Sequence, residues 1–595
     1  MDYLELVETY RQLEATTKRL QKTFLLAEFL KIAPTKELEK ITLLAQGKVF
    51  PDWDERVIGI AARLVIKAIG VATGVDAEKI EESWKKTGDL GDVAEKMVGK
   101  KKQSTLFSQK LTATKVFDNL QKLAELEGPG TVDRKVQLVA ELLTSAKPLE
   151  AKYIIRTILG ELRVGLGEGT LRDAIVWAFF GKEIGLKYDA KENELVLPDK
   201  NRDEYNKYLV AVQEAYDAAN DYAVVAEVAK EKGIRGLQNI ELAPGKPIKV
   251  MLYQKAIDMA DAFETVGSPA ALEYKYDGFR MQIHKFSGKI IIYTRRLENV
   301  TKQFPEVVEF VKENVDGSSF ILDCEAVGFD RKTGKYRPFQ EVSQRIKRKY
   351  SIEEIGQKFP VELNIFDIVY YDGKNLTKVA FEERRKILAK IVANKKLKIK
   401  IAEQIVTGDD KEADKFYKDS LKAGNEGVMV KNLQGIYKPG SRVGYGVKVK
   451  PTMETLDVAI VGAEWGEGKR SSWLSSFVIA VRDPETNELL EIGKVGTGIK
   501  EKEEEGTSFG QLTEMLKPLI IEEKGKEVKV RPKFVIEINY EEIQASPTYS
   551  SGYALRFPRL AKLREDRRVD EISTLDEVKK LYFGQRGRKT KKALH

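Results

Sequence analysis

Apolar side chains recur at three- and four-residue intervals through roughly the first 235 residues, as at Val212, Tyr216, Ala219, Ala223 and Ala226, and this spacing predicts a helical region. The stretch Glu231 to Pro247 (EKGIRGLQNIELAPGKP) breaks the periodicity with glycines and prolines, which marks a domain boundary. Beyond it the pattern turns to strands. Leu272–Tyr276 and Met281–Lys285 read as extended, and Ser287-Gly288 supplies a hairpin turn before Lys289–Tyr293. Further strands are expected at Phe320–Val327, Val361–Tyr370, Glu426–Lys431 and Gly446–Lys450, with helices such as Phe381–Val392 between them, an α+β pattern. After Pro451, short strands at Asp457–Ala463, Phe477–Arg482, Leu489–Val495 and Phe534–Tyr540 alternate with Gly-rich turns and one helix near Phe509–Ile521, the pattern of a small β-barrel. The chain is therefore divided into residues 1–235, 236–451 and 452–595, with a basic tail from Arg586 to Lys592.

The length of 595 residues suits three domains with buried cores. Lys and Arg total 101 against 92 Asp and Glu, a net +9 that permits a polyanion partner without requiring one. A single cysteine, Cys324, excludes an intramolecular disulfide and a cysteine-ligated zinc or iron–sulfur centre, and a reducing cytoplasm fits best. The N-terminus is charged throughout and no apolar run approaches the roughly 18 residues that suggest a membrane span, so neither secretion nor membrane insertion is expected. A charged fraction of 32% with two histidines leans toward a thermophilic protein, in which ion-pair networks gain weight.

The most informative string is Lys275-Tyr276-Asp277-Gly278-Phe279-Arg280, where Lys275 ends a strand and Gly278 allows a tight turn after it. Lysine becomes a nucleophile when desolvation or neighbouring cations lower its pKa, and Arg280, Arg295, Lys448 and Lys450 are candidate cations that would also hold phosphates. Alone, the string is equally a β-turn with solvated charges. Glu325 and Glu426 sit inside apolar strand patterns, where a carboxylate calls for a cation partner, as in a buried salt bridge. Phe366 reads as a core aromatic. Lys448 and Lys450 alternate with Val447 and Val449, which puts both amines on one face of a strand. Arg556, Arg559 and Arg564 read as a basic surface segment, His284 as ordinary strand surface, and Cys324 as a buried thiol. In the helical region, Arg163-Val-Gly-Leu-Gly-Glu-Gly-Thr170 lacks the lysine of a phosphate-binding Walker loop, and the Thr170 hydroxyl reads as a helix cap.

Seven strings together resemble the ATP-dependent DNA ligases of archaeal and eukaryotic replicative type, within the covalent nucleotidyltransferase superfamily. They are Lys275–Arg280, Tyr293–Arg296, Leu322–Val327, Phe366–Gly373, Glu426–Lys431, Val447–Pro451, and the pair Leu555–Arg559 with Arg564–Arg567. The resemblance spans nearly the whole chain. It implies a helical DNA-binding domain, a nucleotidyltransferase domain and an OB-fold barrel, in an enzyme that seals nicks through lysyl-AMP and DNA-adenylate intermediates in DNA replication, recombination and repair. It implies Lys275 as the nucleophile, Glu273 and Phe366 at the adenine, Arg280, Arg295, Arg442, Lys448 and Lys450 around the nucleotide, and Glu325 at the ribose or metal. Glu426 would help position Mg²⁺ or Mn²⁺, which suit hard carboxylate oxygens. ADP, GTP and NAD stay open as alternatives to ATP.

The same resemblance assigns Arg556, Arg559, Arg564 and Asp566 to a mobile lid that meets the pyrophosphate, and Gly165, Gly167, Gly169 and Thr170 to backbone contact with a DNA phosphate. Gln103-Ser-Thr-Leu106-Phe107 is similar to the peptide that binds sliding clamps, and the two apolar anchors would otherwise pack on their own domain. The expected partners are nicked duplex DNA, bound independently of sequence and sensitively to salt, and the clamp; the chain is expected to be a monomer. An RNA ligase or mRNA guanylyltransferase would share the lysine chemistry, and a non-catalytic DNA- or clamp-binding scaffold would share the basic patches. Strand joining and a nucleotide adduct separate these.

Overall fold

The computed structural model describes residues 1–585 except 55, 101–109, 127, 129, 199–200, 338, 340–341, 343–344, 347–351, 441, 452–454, 468–469, 503 and 505, and gives only the backbone at 442–443. Two compact units are present, Met1–Val449 and Lys450–His595.

The first unit begins with helices that share one core running from Tyr3 to Leu237. Amphipathic spacing accounts for them, and Val212, Tyr216, Ala219, Ala223 and Ala226 all face that core. Those five residues belong to two helices, Arg202–Ala219 and Tyr222–Gln238. Asn220 takes a left-handed conformation with φ 51° and ends the first, and the Asp221 carboxylate accepts from the Ala223 N–H to start the second. The second helix runs on to Gln238 through a break at Gly233, past the boundary read at residue 235. A short hairpin, β1 (Lys187–Asp189) and β2 (Glu194–Val196), interrupts the helices.

Two sheets follow. Their strands in chain order are β3 (Leu252–Lys255), β4 (Ala270–Lys275), β5 (Phe279–Phe286), β6 (Lys289–Thr294), β7 (Phe320–Gly328), β8 (Val361–Tyr371), β9 (Lys374–Asn375), β10 (Ile399–Ile401), β11 (Gln404–Thr407), β12 (Gly427–Lys431) and β13 (Arg442–Val449). One sheet has the order β11-β4-β12-β13-β3, the other β10-β8-β7-β5-β6 with β9 beside β8. Ser287 and Gly288 both have positive φ, the geometry of a two-residue hairpin turn between β5 and β6. Each sheet buries one face in its own apolar core. Ala270, Leu272, Val428, Val430, Val447 and Val449 line one, and Phe279, Met281, Leu322, Cys324, Leu363 and Ile365 are among those that line the other.

The period of two sends the intervening residues to the opposite faces. Glu273, Lys275, Lys431 and Lys448 leave the first sheet there, and Arg280, Asp323 and Glu325 leave the second. Between β4 and β5 the chain spans only Tyr276, Asp277 and Gly278. Gly278 does not have positive φ; a Cβ on it would collide with the Ala326 carbonyl oxygen of β7 and lie 3.0 Å from Glu325 Cγ. Close strand approach, not turn conformation, therefore requires glycine at this position.

The second unit contains β14 (Leu456–Trp465), β15 (Leu474–Arg482), β16 (Leu489–Val495), β17 (Ile520–Lys524), β18 (Glu527–Val530), β19 (Val535–Asn539), β20 (Glu542–Ala545), β21 (Tyr553–Arg556) and β22 (Arg559–Leu563). The path β16-β15-β14-β19-β22 closes through a parallel bridge from Thr497 to Arg559, which makes a barrel around Phe477, Ile479, Ile492 and Ile538. The helix Phe509–Leu516 packs on it.

Candidate active site

Lys275 ends β4, where antiparallel pairing puts it opposite Gly427, and the Glu426 N–H donates to the Lys275 carbonyl at 2.8 Å. This register brings the side chains together, with Lys275 Nζ 2.7 Å from Glu426 Oε2. Burial pushes the Lys275 pKa down, but Glu426 and then Glu325 outweigh it and hold the ammonium above its ordinary range. The sequence pattern suggests a lysine depressed by neighbouring cations; the reverse is found because the groups nearest Lys275 are acids.

Arg280, the expected source of positive charge, is committed elsewhere. Its Nε donates to Asp323 Oδ1 at 2.7 Å, Nη2 donates to Asp323 Oδ2, and Nη1 donates to the Met251 carbonyl at 2.9 Å. Tyr437 donates its hydroxyl to Asp323 Oδ2 at 2.8 Å, which completes a buried network around Asp323. Asp323, two residues before Glu325 and on the same face, was legible as a second acid in an apolar strand; Tyr437 carried no comparable signal. Glu325 stands in register with Arg280. Burial pushes its pKa up to about 8, with Lys275 and Arg280 offsetting only part of that cost and Glu426 adding to it. The cation partner expected for Glu325 is thus present as a field from two groups already paired with Glu426 and Asp323.

Glu273 is 1% exposed. Lys431 Nζ lies 2.6 Å from its Oε2, and Gln404 Nε2 donates to its Oε1 at 3.0 Å. Phe366 is half-buried, with Lys431 Nζ 4.9 Å and the Arg280 guanidinium 5.2 Å from its ring centre, so the core reading yields to a ring that edges the site. Thr294 pairs with Met281, so the next residue, Arg295, is exposed at the same sheet end as Arg280. Lys448 pairs with Met429 on β13. Arg442 starts that strand, and its side chain lies outside the described residues. Lys450 falls one residue past the strand, in the second unit, 3.5 Å from Glu541.

The remaining candidates belong to other elements. In the second unit Arg556 pairs with Glu542 at 3.2 Å, Arg559 is exposed, and Arg564 is held by Asp566 at 2.8 Å and Asp457 at 3.1 Å. In the helical region the Glu168–Phe179 helix starts at Gly167, without a side-chain cap. Thr170 sits in the first turn, so its hydroxyl does not cap the helix. Lys22, 8% exposed, donates to the Val164 carbonyl and to the Gly165 carbonyl at 3.3 Å. Arg19 flanks Gly169. Gln103, Leu106 and Phe107 lie outside the described residues.

His284 is fully buried. Its Nδ1 accepts from the Gly245 N–H at 2.9 Å and its Nε2 is 2.8 Å from Gln282 Oε1, so the surface reading fails because the segment after the helices crosses this face of the sheet. Cys324 is buried, as expected.

Hard carboxylate oxygens at Glu325 and Glu426, which repel one another across Lys275, fit a divalent cation of the Mg²⁺ type, which binds one or two carboxylates together with substrate phosphates. Among the described residues no helix is long and apolar enough to cross a membrane.

Family models match three parts of the chain: "DNA ligase N terminus" at residues 2–176, "ATP dependent DNA ligase domain" at 250–450 and "ATP dependent DNA ligase C terminal region" at 470–567. A DNA ligase of Nanoarchaeum equitans is 47% identical over 99% of both chains, and one of Thermococcus fumicolans is 45% identical over the full length of both. A DNA ligase of Methanopyrus kandleri is 42% identical over 98% of this chain and 99% of its own. A solved structure described as "Pmar-Lig_PreS3" shares the fold at a TM-score of 0.56 and 17% identity, covering 94% of this chain and 99% of its own. With full-length relatives at this identity, and matched segments in each of its three regions, the chain belongs to the ATP-dependent DNA ligases.

Proposed function

We propose that Lys275 is the residue that carries AMP. The observation that supports this most directly is the 2.7 Å contact between Lys275 Nζ and Glu426 Oε2 on a face that also holds Glu325. An ammonium has no lone pair, so Lys275 must lose a proton before it attacks the α-phosphorus of ATP, and Glu426 Oε2 is placed to take it. The Nζ–P bond forms as the bond to pyrophosphate breaks. AMP then passes to the 5′-phosphate at a nick, and attack by the 3′-hydroxyl joins the strand and releases AMP.

In the same reading Glu325 and Glu426 hold Mg²⁺ or Mn²⁺, which when bound would neutralise phosphate charge. Glu273 and Phe366 face the nucleobase, and Arg295, Arg442, Lys448 and Lys450 supply positive charge around the phosphates. Arg280, tied to Asp323 and Met251, serves as a rigid wall. Residues 1–235 bind DNA, with Gly165, Gly167, Gly169 and Thr170 at a phosphate; 236–451 carry adenylation; 452–595 form the mobile barrel, with Arg556, Arg559, Arg564 and Asp566 directed at pyrophosphate. Gln103, Leu106 and Phe107 dock a sliding clamp, and the enzyme acts as a monomer in the cytoplasm.

The test is to incubate wild type and Lys275→Ala with ATP labelled at the α-phosphate and Mg²⁺, then chase with nicked duplex DNA. Label confined to wild type and lost as the nick closes supports the assignment; equal labelling of Lys275→Ala removes it.

A further inference from the structure

The environment of Glu273 is more elaborate than a buried acid needs. Its strand β4 pairs with β11 so that Gln404 stands directly opposite, and the Gln404 amide donates to Oε1 at 3.0 Å. Arg385, from the helix Phe381–Ile391, brings Nη1 to 3.3 Å from the same oxygen. Lys431 reaches Oε2 from the other side at 2.6 Å. Arg385 does not depend on Glu273 for its position, because Nη2 donates to the Ala402 carbonyl and Nη1 lies 3.4 Å from the Ile365 carbonyl. Two cationic groups and one amide thus converge on a carboxylate whose side chain is 2% exposed.

An ionised carboxylate accepts hydrogen bonds at about four lone-pair positions and donates none. The Gln404 amide fills one position on Oε1, Arg385 adds an ion pair at that oxygen, and Lys431 adds one at Oε2. The Lys431 ammonium also lies over the half-buried ring of Phe366. A flat base against Phe366 would therefore meet an acceptor whose orientation is set by groups behind it.

We propose that Arg385 and Gln404 are specificity-determining positioning residues, which hold Glu273 as a rotationally fixed acceptor so that the site takes a 6-amino purine and rejects a 6-oxo purine. This rests on the reading that Glu273 and Phe366 face the base. A 6-amino group donates to the carboxylate. A 6-oxo group brings a second acceptor against it, an uncompensated repulsion at a buried site. Without Arg385 or Gln404 the carboxyl is free to turn, and the acceptor no longer stands fixed against a 6-oxo group. Hydrogen bonds to charged groups discriminate on the order of ten- to a hundredfold.

The experiment measures kcat/KM for formation of the lysyl-nucleotide adduct from ATP and from inosine triphosphate, which carries oxygen at position 6. The full chain is used as wild type, Arg385→Gln, Arg385→Lys, Gln404→Leu and Glu273→Gln, with the Tm of each. Wild type is expected to favour ATP. Arg385→Gln and Gln404→Leu are expected to lower the ATP-to-inosine ratio about tenfold or more, through KM more than kcat, while Arg385→Lys keeps most of it. If Glu273→Gln collapses the ratio and the Arg385 and Gln404 variants leave it at the wild-type value, the proposal fails and the base-facing role of Glu273 stands. A ratio unmoved in Glu273→Gln as well overturns that role and the proposal with it. Equal losses with both nucleotides mark a merely structural contribution and also overturn it.

Discussion

Acidification should unlatch the strand-face contact made by His284. The ring is fully buried against Gln282, Tyr293 and the backbone of Gly245, and burial pushes its pKa from the usual 6.5 down to about 3. The unfolded chain therefore binds a proton before the folded chain does. The stabilising contribution is complete above pH 6.5, declines as the pH falls below it, and is exhausted near the folded value of about 3. The full span is worth about 5 kcal/mol, and the part lost between about pH 7.5 and pH 5.5 is about 1.4 kcal/mol. The physical event is loss of the Nδ1 lone pair that accepts the Gly245 N–H. That segment continues to Ile248, paired with Gln282, and to Met251, whose carbonyl receives Arg280. The assay compares urea unfolding of wild type and His284→Asn at both pH values, since other titrating groups cancel in the difference. The free-energy gap between them should shrink by about 1.4 kcal/mol at the lower pH. Histidine-labelled NMR gives a direct check, because the chain has two histidines, His284 and His595. A constant gap, or a His284 signal that titrates near 6.5, would refute the reasoning.

Three further outcomes are expected. Gly278→Ala forces β7 away from the β4–β5 connection at Ala326 and Glu325, which should cost about 1–3 kcal/mol and slow lysyl-AMP formation about a hundredfold; a labelling rate within about twofold of wild type would show that the strands adapt freely. Arg384→Met leaves the Asp367 carboxylate, 2% exposed and paired at 2.7 Å, without its cation, a loss of about 3–5 kcal/mol in denaturant unfolding; adding Asp367→Leu should recover part of it, and strictly additive losses would contradict the coupling. Gln103→Ala with Phe107→Ala should weaken clamp binding by calorimetry about tenfold while lysyl-AMP formation continues, and unchanged clamp affinity would remove the peptide from the interface.

Much of the architecture could be read from periodicity. The switch from a spacing of three and four to a spacing of two located the change from helices to sheets, and glycine and proline marked the breaks. Short strands were harder to read. β3, β10 and β11 have three or four residues of weak pattern, and they are strands because a neighbour supplies their hydrogen bonds. Helix ends were blurred for a related reason: Asn220 and Asp221 split a continuous apolar stripe without disturbing its spacing.

At the site, Glu325 and Glu426 stood out as charged side chains in apolar strands, and Lys275 drew notice through the string Lys275–Arg280 taken with the other matched strings. What charge each would bear was not legible. Burial pushes Glu325 toward its neutral form, Glu426 and Glu325, distant from Lys275 in sequence, hold Lys275 as an ammonium, and Asp323 ties up Arg280. Arg385 and Gln404 gave no signal, since an arginine on an amphipathic helix and a glutamine on an edge strand are ordinary surface residues until packing turns them inward. Local pattern dictates which face of an element is apolar because covalent geometry sets the repeat. Which charges meet across two sheets depends on register and burial, and these are properties of the folded chain.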